Sequence, residues 1–260
     1  MTSEPMTLPR EARPSRGRTT PPLPLSTVTH DNKLIKLPVP RQIWGYTFAK
    51  RTLDIVISAT ALVALTPLFL LIAAVIKLTS PGPVFFRSQR VGEGGHIFTM
   101  LKFRSMRSDA DPRLHKKQYM EFLAGRGGNG KVSQSAAEGA QPKPGWFHSD
   151  DPRVTTVGAF IRRTSIDELP QLFNVLRGEM SLVGPRPPIP YEVRHYEPDH
   201  LVRLAVCPGL TGIWQVYGRN KVPFDIMVYM DQWYIENRSL YLDVKLMILT
   251  VPVVILAHAH

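Results

Sequence analysis

Cysteine is almost missing from this 260-residue chain: Cys207 stands alone, which excludes an intramolecular disulfide and any multi-cysteine metal cluster and fits a reducing compartment. The eight histidines lack any spacing of the His-Glu-x-x-His kind, so no zinc site is predicted. Acidic residues are the minority. Against 32 Lys and Arg stand 21 Asp and Glu, a formal charge of +11 that calls for an anionic partner: nucleic acid, an acidic membrane surface or a phosphorylated substrate. An early apolar run is lacking too. The first starts at Ile55, too late for a cleavable leader, and no small-residue cleavage pattern follows it. At 43% hydrophobic residues the remainder can bury a sizeable core.

Residues 1–40 are rich in Pro, Ser, Thr and Arg without sustained periodicity, and read as a disordered basic tail. Residues 41–80 read as a membrane segment. Trp44, Tyr46, Phe48, Lys50 and Arg51 mix aromatics with cations in the manner of a membrane interface, and from Ile55 to Ile76 no charge occurs. That run matches the roughly 20 residues a spanning helix requires. Thr66-Pro67 divides it into halves too short to cross alone, and basic residues flank both ends: Lys50 and Arg51 before, Lys77 after. On hydropathy a kinked single span is the default, with a hairpin re-entering the same leaflet as the alternative.

Residues 81–260 read as the catalytic or binding domain. Val84 to Arg87, the glycines at 92, 94 and 95, and Ile97 to Arg104 predict a β-hairpin; helices are expected near Asp109 to Leu123, Ile189 to Ala205, Val222 to Glu236 and Leu242 to Leu256. The last is short and holds Lys245, which favours an interfacial or packed helix over a second crossing. Pro208 to Gly212 reads as turn. A Gly-, Ser- and Ala-rich insertion occupies about 124–145, where Gly125 to Lys131 imitates a phosphate loop; Val132 replaces the required Ser or Thr, and the run reads as flexible linker. The fold class is α+β, mostly helical, with one small hairpin.

Asp167 and Glu168 concentrate acid inside a basic stretch, Arg162-Arg163-Thr164-Ser165-Ile166-Asp167-Glu168-Leu169-Pro170. Leu169, Leu172, Phe173 and Leu176 at helical spacing, with Gly178 at a natural stop, place the pair in the first turn of a short amphipathic helix, where free N–H groups favour negative charge. Two readings follow. In the plain one, Ser165 and Glu168 form a capping box and Asp167 is an N-cap. In the chemical one, adjacent carboxylates pointing about 100° apart take different roles, one as nucleophile and one as metal ligand or proton positioner. A carboxylate nucleophile needs an electrophile such as a phosphoryl group held by cations, for which Lys102, Arg104, Arg162 and Arg186 are candidates; the plain reading of each is surface charge or pairing with acids.

The run Thr164-Ser-Ile-Asp-Glu-Leu-Pro-Gln-Leu-Phe-Asn-Val-Leu-Arg-Gly-Glu-Met-Ser-Leu-Val-Gly-Pro-Arg-Pro187 resembles the signature of the bacterial sugar transferases, the monotopic polyprenyl-phosphate phosphoglycosyl transferases. Lys102-Phe-Arg-Ser-Met106, Asp151-Pro-Arg-Val-Thr155, Pro208-Gly-Leu-Thr-Gly-Ile-Trp-Gln-Val216 and Gly218-Arg219-Asn220 extend the resemblance, in the family's order, over roughly Lys50 to Leu256. It implies Mg²⁺-dependent transfer of sugar 1-phosphate from a UDP-sugar to undecaprenyl phosphate with release of UMP, at the cytoplasmic face of the bacterial inner membrane. Asp167 would carry the phosphosugar, and Glu168 would assist through the Mg²⁺ site or by positioning a proton. Lys102, Arg162 and Arg186 would support the phosphates, with Arg104 a lesser addition and Gln215 and Arg219 touching substrate. The resemblance also implies a re-entrant helix broken at Thr66-Pro67, where relatives carry Ser-Pro; a threonine hydroxyl can make the same bond back to a freed carbonyl.

Departures are Cys207, where relatives often carry a basic residue, and the long insertion. The larger members' additional N-terminal spans have no counterpart, so the chain reads as the catalytic unit with a tail. Membrane lipid is an implied partner and a homodimer an open one. The competing function class is a membrane-attached scaffold that binds anionic lipid or glycan-assembly proteins. Nucleic-acid binding requires aromatics interleaved with a basic face outside the membrane segment, and no such face is found.

Overall fold

Proline at 67 breaks the apolar run into two helices that the computed structural model sets at 60° to each other: α1, Trp44–Ala64, and α2, Thr66–Thr79. The structure describes residues 25–30, 33–38, 44–107, 153–218 and 222–256. The helix expected near Asp109 to Leu123 and the insertion at 124–145 lie outside them. At the break Thr66 Oγ1 donates to the Leu62 carbonyl at 2.8 Å, the back-bond expected of a threonine before proline. No single described helix is long and apolar enough to cross a membrane, whereas this bent pair together meets the length and composition a crossing needs.

Helix α1 has two faces. Ile55, Val56 and Val63 are exposed, while Lys50, Arg51, Asp54 and Ser58 turn inward at helical spacing. Lys50 Nζ donates to Asp243 Oδ2 and to the Val183 carbonyl, both at 2.9 Å. Asp54 Oδ1 accepts the Leu182 N–H at 3.0 Å. The Arg51 guanidinium covers the Val175 and Leu176 carbonyls at 2.6 and 2.7 Å. Lys50 and Arg51 are therefore not snorkelling cations, as the sequence suggested; fixed acceptors in the folded domain hold them instead.

The tail expected to be disordered contains an antiparallel pair, β1 (Leu25–His30) and β2 (Lys33–Pro38), in register from Leu25 with Pro38 to His30 with Lys33. Two residues, Asp31 and Asn32, separate the strands, and Thr27, Val28, Thr29 and Ile35 are β-branched, a local signal that the overall composition obscured. The expected hairpin forms from β3 (Phe85–Val91) and β4 (Ile97–Phe103), closed through Gly94 and Gly95 at φ 65° and 82°. It stands between two apolar clusters. Phe98 and Met100 face the main core, and Phe103 packs with Ile72, Ile76 and Ile161 beneath α2.

Helix α3 (Thr156–Arg163) is capped by Thr155, whose Oγ1 accepts the Gly158 N–H at 2.9 Å. A short 3₁₀ turn, Ile166–Glu168, then leads through Pro170 into α4 (Gln171–Arg177), which ends at Gly178 in left-handed geometry. Strand β5 (Ser181–Val183) pairs in parallel with β6 (Gly209–Thr211), so the segment read as turn is partly strand. The single helix expected over Ile189 to Ala205 is two pieces, α5 (Pro190–Val193) and a 3₁₀ stretch Pro198–Ala205, because Pro198 cannot continue a helix. Then come α6 (Ile213–Tyr217), α7 (Phe224–Asn237) and α8 (Leu240–Leu256), the last two close to their expected bounds. Leu201, Leu204, Tyr234 and Leu246 are core, and a buried Arg203–Asp231 pair at 2.7 Å, with Arg203 also donating to Tyr196 Oη, ties the 3₁₀ stretch to α7. Helix α8 packs through Leu246 and leaves Tyr241, Ile248 and Val251 exposed, a packed helix with an apolar outer stripe. The described residues are thus mostly helical, as expected, but carry three two-stranded pairings where one small hairpin was expected.

Candidate active site

Lys102 reaches the site because strands alternate. Phe98, Met100 and Lys102 share one face of β4, so the run that buries two apolar residues delivers the ammonium to the end of the core, where it meets Glu168 Oε1 at 2.5 Å. Asn174 fixes the relation between strand and acidic turn. Fully buried on α4, it accepts the Leu101 N–H at 3.0 Å and donates to the Thr99 carbonyl at 2.8 Å, satisfying the edge of β4 opposite β3. It also donates to Glu179 Oε2 at 2.6 Å. Strand β4, helix α4 and the turn after it meet in one amide.

The acids do not sit in the first turn of α4, as the periodicity implied. They lie in the separate 3₁₀ turn, because the i→i+3 bonds close from Ser165 to Glu168 and Ile166 to Leu169 before Pro170 begins the helix. Ser165 is left-handed at φ 55° and makes no side-chain cap bond, so the capping box does not form. Negative charge here is met by side-chain cations rather than by the helix end.

Asp167 is 7% exposed. Burial pushes its carboxyl up to about 6, Lys102 and Arg162 pull it back, and Glu168 adds to the rise. For Glu168 burial also works against charge, but the Lys102 ammonium, with Arg186 and Arg90, outweighs it and holds the carboxyl below the usual range. The neighbours are split: Glu168 is a fixed anion in an ion pair, and Asp167 is a more basic carboxylate that titrates just below neutrality.

Arg162 comes from the last turn of α3. Gly158, in the same helix, packs so closely that a β-carbon there would stand 1.9 Å from the Ser105 carbonyl oxygen, which brings α3 against the chain leaving β4. Arg186 follows the β5–β6 pair, where Gly184 N–H donates to Thr211 at 2.9 Å and Gly209 N–H to Pro185 at 2.8 Å; two of the sequence motifs are thereby one structural unit. Lys102, Arg162, Arg186, Asp167 and Glu168 are thus gathered in one charge cluster.

Arg104 stands apart from it. Its guanidinium donates to the Pro81 and Ser80 carbonyls at 2.7 and 2.8 Å and to Ser80 Oγ at 2.6 Å, clamping the end of α2. Gln215 Nε2 braces β6 through the Leu210 carbonyl at 3.1 Å, and Arg219 lies outside the described residues. Sequence reasoning missed Asn174 and Arg90. The hairpin register pairs Arg90 with Phe98 and Phe86 with Lys102, so Arg90 shares the face that carries Lys102, and that alternation was legible.

No group of three or more His, Cys, Asp or Glu able to hold a metal occurs among the described residues. Two hard carboxylates do suit Mg²⁺, which is commonly bound by one or two carboxylates together with substrate phosphates.

A model described as bacterial sugar transferase matches residues 45–257. The chain belongs to this family. Among its relatives, the exopolysaccharide production protein ExoY of Rhizobium meliloti is 40% identical over 215 residues, covering 80% of this chain and 86% of the relative. The undecaprenyl-phosphate galactose phosphotransferase of Salmonella typhimurium is 43% identical over 209 residues, 80% of this chain and 40% of that protein. The UDP-glucose:undecaprenyl-phosphate glucose-1-phosphate transferase of Xanthomonas campestris is 39% identical over 213 residues, 79% of this chain and 38% of that one. The charge cluster around Asp167 lies within the span that matches this family.

Proposed function

We propose that the protein transfers sugar 1-phosphate from a UDP-sugar to undecaprenyl phosphate, releasing UMP and initiating exopolysaccharide or another bacterial glycan. The observation that carries this reading is the split carboxylate pair: a buried, basic Asp167 beside a Glu168 neutralised by Lys102, among further cations. In the first step an Asp167 carboxylate oxygen bonds to the sugar-bearing phosphorus as that phosphorus loses its bond to the bridging oxygen, whose electron pair leaves with UMP. In the second, an oxygen of undecaprenyl phosphate bonds to the same phosphorus, breaking the acyl phosphate and regenerating Asp167. Lys102 and Arg162, the cations that act most on Asp167, would neutralise the charge gathering on the attacked phosphoryl oxygens. Asp167 and the Glu168 oxygen not held by Lys102 would hold Mg²⁺, which would supply further neutralisation of phosphate charge.

The setting we propose is the cytoplasmic face of the inner membrane, with α1 and α2 as a re-entrant hairpin. Its support is that both limbs are fastened to one domain: α1 through Lys50, Arg51 and Asp54, and α2 through Arg104 at its end. From Ile55 to Ala64, α1 can contribute only about 15 Å, half of a bilayer core of roughly 30 Å. A hexose 1-phosphate is the favoured cargo. The test is UMP release by the purified protein with undecaprenyl phosphate, Mg²⁺ and a panel of UDP-sugars; UMP from at least one is expected, and silence across the panel refutes the enzyme in favour of the scaffold.

A further inference from the structure

Arg90 is a buried cation with few partners. It is 6% exposed, its Nη1 donates to the Pro187 carbonyl at 3.1 Å, and its Nε is buried without an acceptor. Glu168 and Glu192 act on it only through space, while burial and Arg186 bring its guanidinium down to about 10. An isolated guanidinium removed from water and set near a second one is costly unless an anion joins them. Arg203, another buried arginine, shows the contrast, for it is hydrogen-bonded directly to Asp231.

The strongest cationic neighbours of Asp167 are Lys102 and Arg162, whereas those of Glu168 are Lys102, Arg186 and Arg90. Arg90 also reaches the carbonyl of Pro187, the residue that directly follows Arg186. Main-chain bonding holds that arrangement: the Val91 N–H donates to the Pro188 carbonyl at 2.9 Å, so the strand that carries Arg90 and the loop that carries Arg186 move as one.

We infer that Arg90 and Arg186 form a two-guanidinium cradle for the phosphate of the departing UMP, leaving Lys102 and Arg162 to the phosphate that Asp167 attacks. This rests on the transfer reaction proposed above. As the bond between the sugar-bearing phosphorus and the bridging oxygen breaks, the oxygen keeps the electron pair and becomes a terminal oxygen of UMP. Two converging guanidinium groups neutralise that new charge.

The test uses the full chain in detergent with UMP as probe and uridine as control. Arg90→Gln should weaken UMP binding at least about tenfold and raise the UMP concentration that inhibits transfer to the same degree, because a charge-assisted contact is lost. Uridine binding should not change. Without nucleotide the variant should unfold at no lower temperature than the parent, since the cost of burying the guanidinium beside Arg186 goes with it and the hydrogen bond lost is the one to Pro187. Arg90→Lys, which keeps the charge but not the fork, should fall between, and it decides the matter if the glutamine variant does not fold. UMP affinity within about threefold of the parent in the folded variant, whether or not its melting temperature drops, overturns the cradle and makes Arg90 a brace for Pro187. That result alongside normal transfer by the parent leaves the enzyme reading standing. A parent that releases UMP from no UDP-sugar overturns both.

Discussion

Asp167 and Glu168 are adjacent in sequence and opposite in titration, and the difference predicts how the protein responds to pH. The folded carboxyl of Asp167 titrates near 6 against an ordinary value of 3.8, so the folded state holds this proton more tightly than the unfolded chain does. Its contribution to stability is full below about pH 4 and is lost as pH rises to about 6. Asp167→Asn should therefore match the parent near pH 4 and exceed it above pH 6, by on the order of 1–3 kcal/mol, in denaturant titrations across that range. Transfer by the parent should fall on the acid side of about pH 6, as Asp167 takes up its proton; a pH–rate profile checks this. That the acidic pair would lie near Lys102, Arg162 and Arg186 was legible, because residue types and motif single out the same group that the fold brings together. The left-handed Ser165 that removes the capping box was not, since serine at a turn carries no mark of its φ. Nor was Arg104, identical in type to the phosphate-binding candidates but committed to the carbonyls ending α2. Arg104→Gln should lower the melting temperature while leaving KM for the UDP-sugar within about twofold, because it removes a helix clamp and no substrate contact.

At the scale of elements, the site depends on how β4 is joined to the turn before α4, and Asn174 makes that joint. Asn174→Ala leaves the Leu101 N–H and the Thr99 carbonyl without their side-chain partner, at about 1–3 kcal/mol for each buried group. The loss of stability should come with a larger fall in kcat than in substrate affinity, as Lys102 drifts from Glu168; thermal unfolding and steady-state kinetics measure the two effects. The β3–β4 hairpin and helices α7 and α8 could be read ahead because their alternation or helical period is set by burial on one face. The parallel β5–β6 pair could not. Its strands are three residues each and lie more than twenty residues apart in sequence, so neither has a period of its own, and the glycines that permit their approach look like turn residues.

For the whole molecule, the anchoring of both limbs of the bent helix pair to one domain predicts which side of the membrane each end occupies. Gly45→Cys, where a β-carbon meets nothing within 4 Å, and Leu78→Cys, at an 86% exposed position, should label from the same side; labelling from opposite sides would make the pair a crossing. Sequence alone left span and hairpin open, since hydropathy reports length and apolarity but not that Lys50 and Arg51 are held inside the protein. The excess of 32 basic over 21 acidic residues announced an anionic partner, and the fold gathers part of that excess around Asp167. Whether Asp167 is the group that carries the sugar phosphate is tested most directly by intact mass spectrometry after incubation with the UDP-sugar that supports turnover, without undecaprenyl phosphate. The parent should gain the mass of one sugar phosphate, which vanishes when the acceptor is added, and Asp167→Asn should gain nothing; an adduct of undiminished yield on Asp167→Asn would contradict the account.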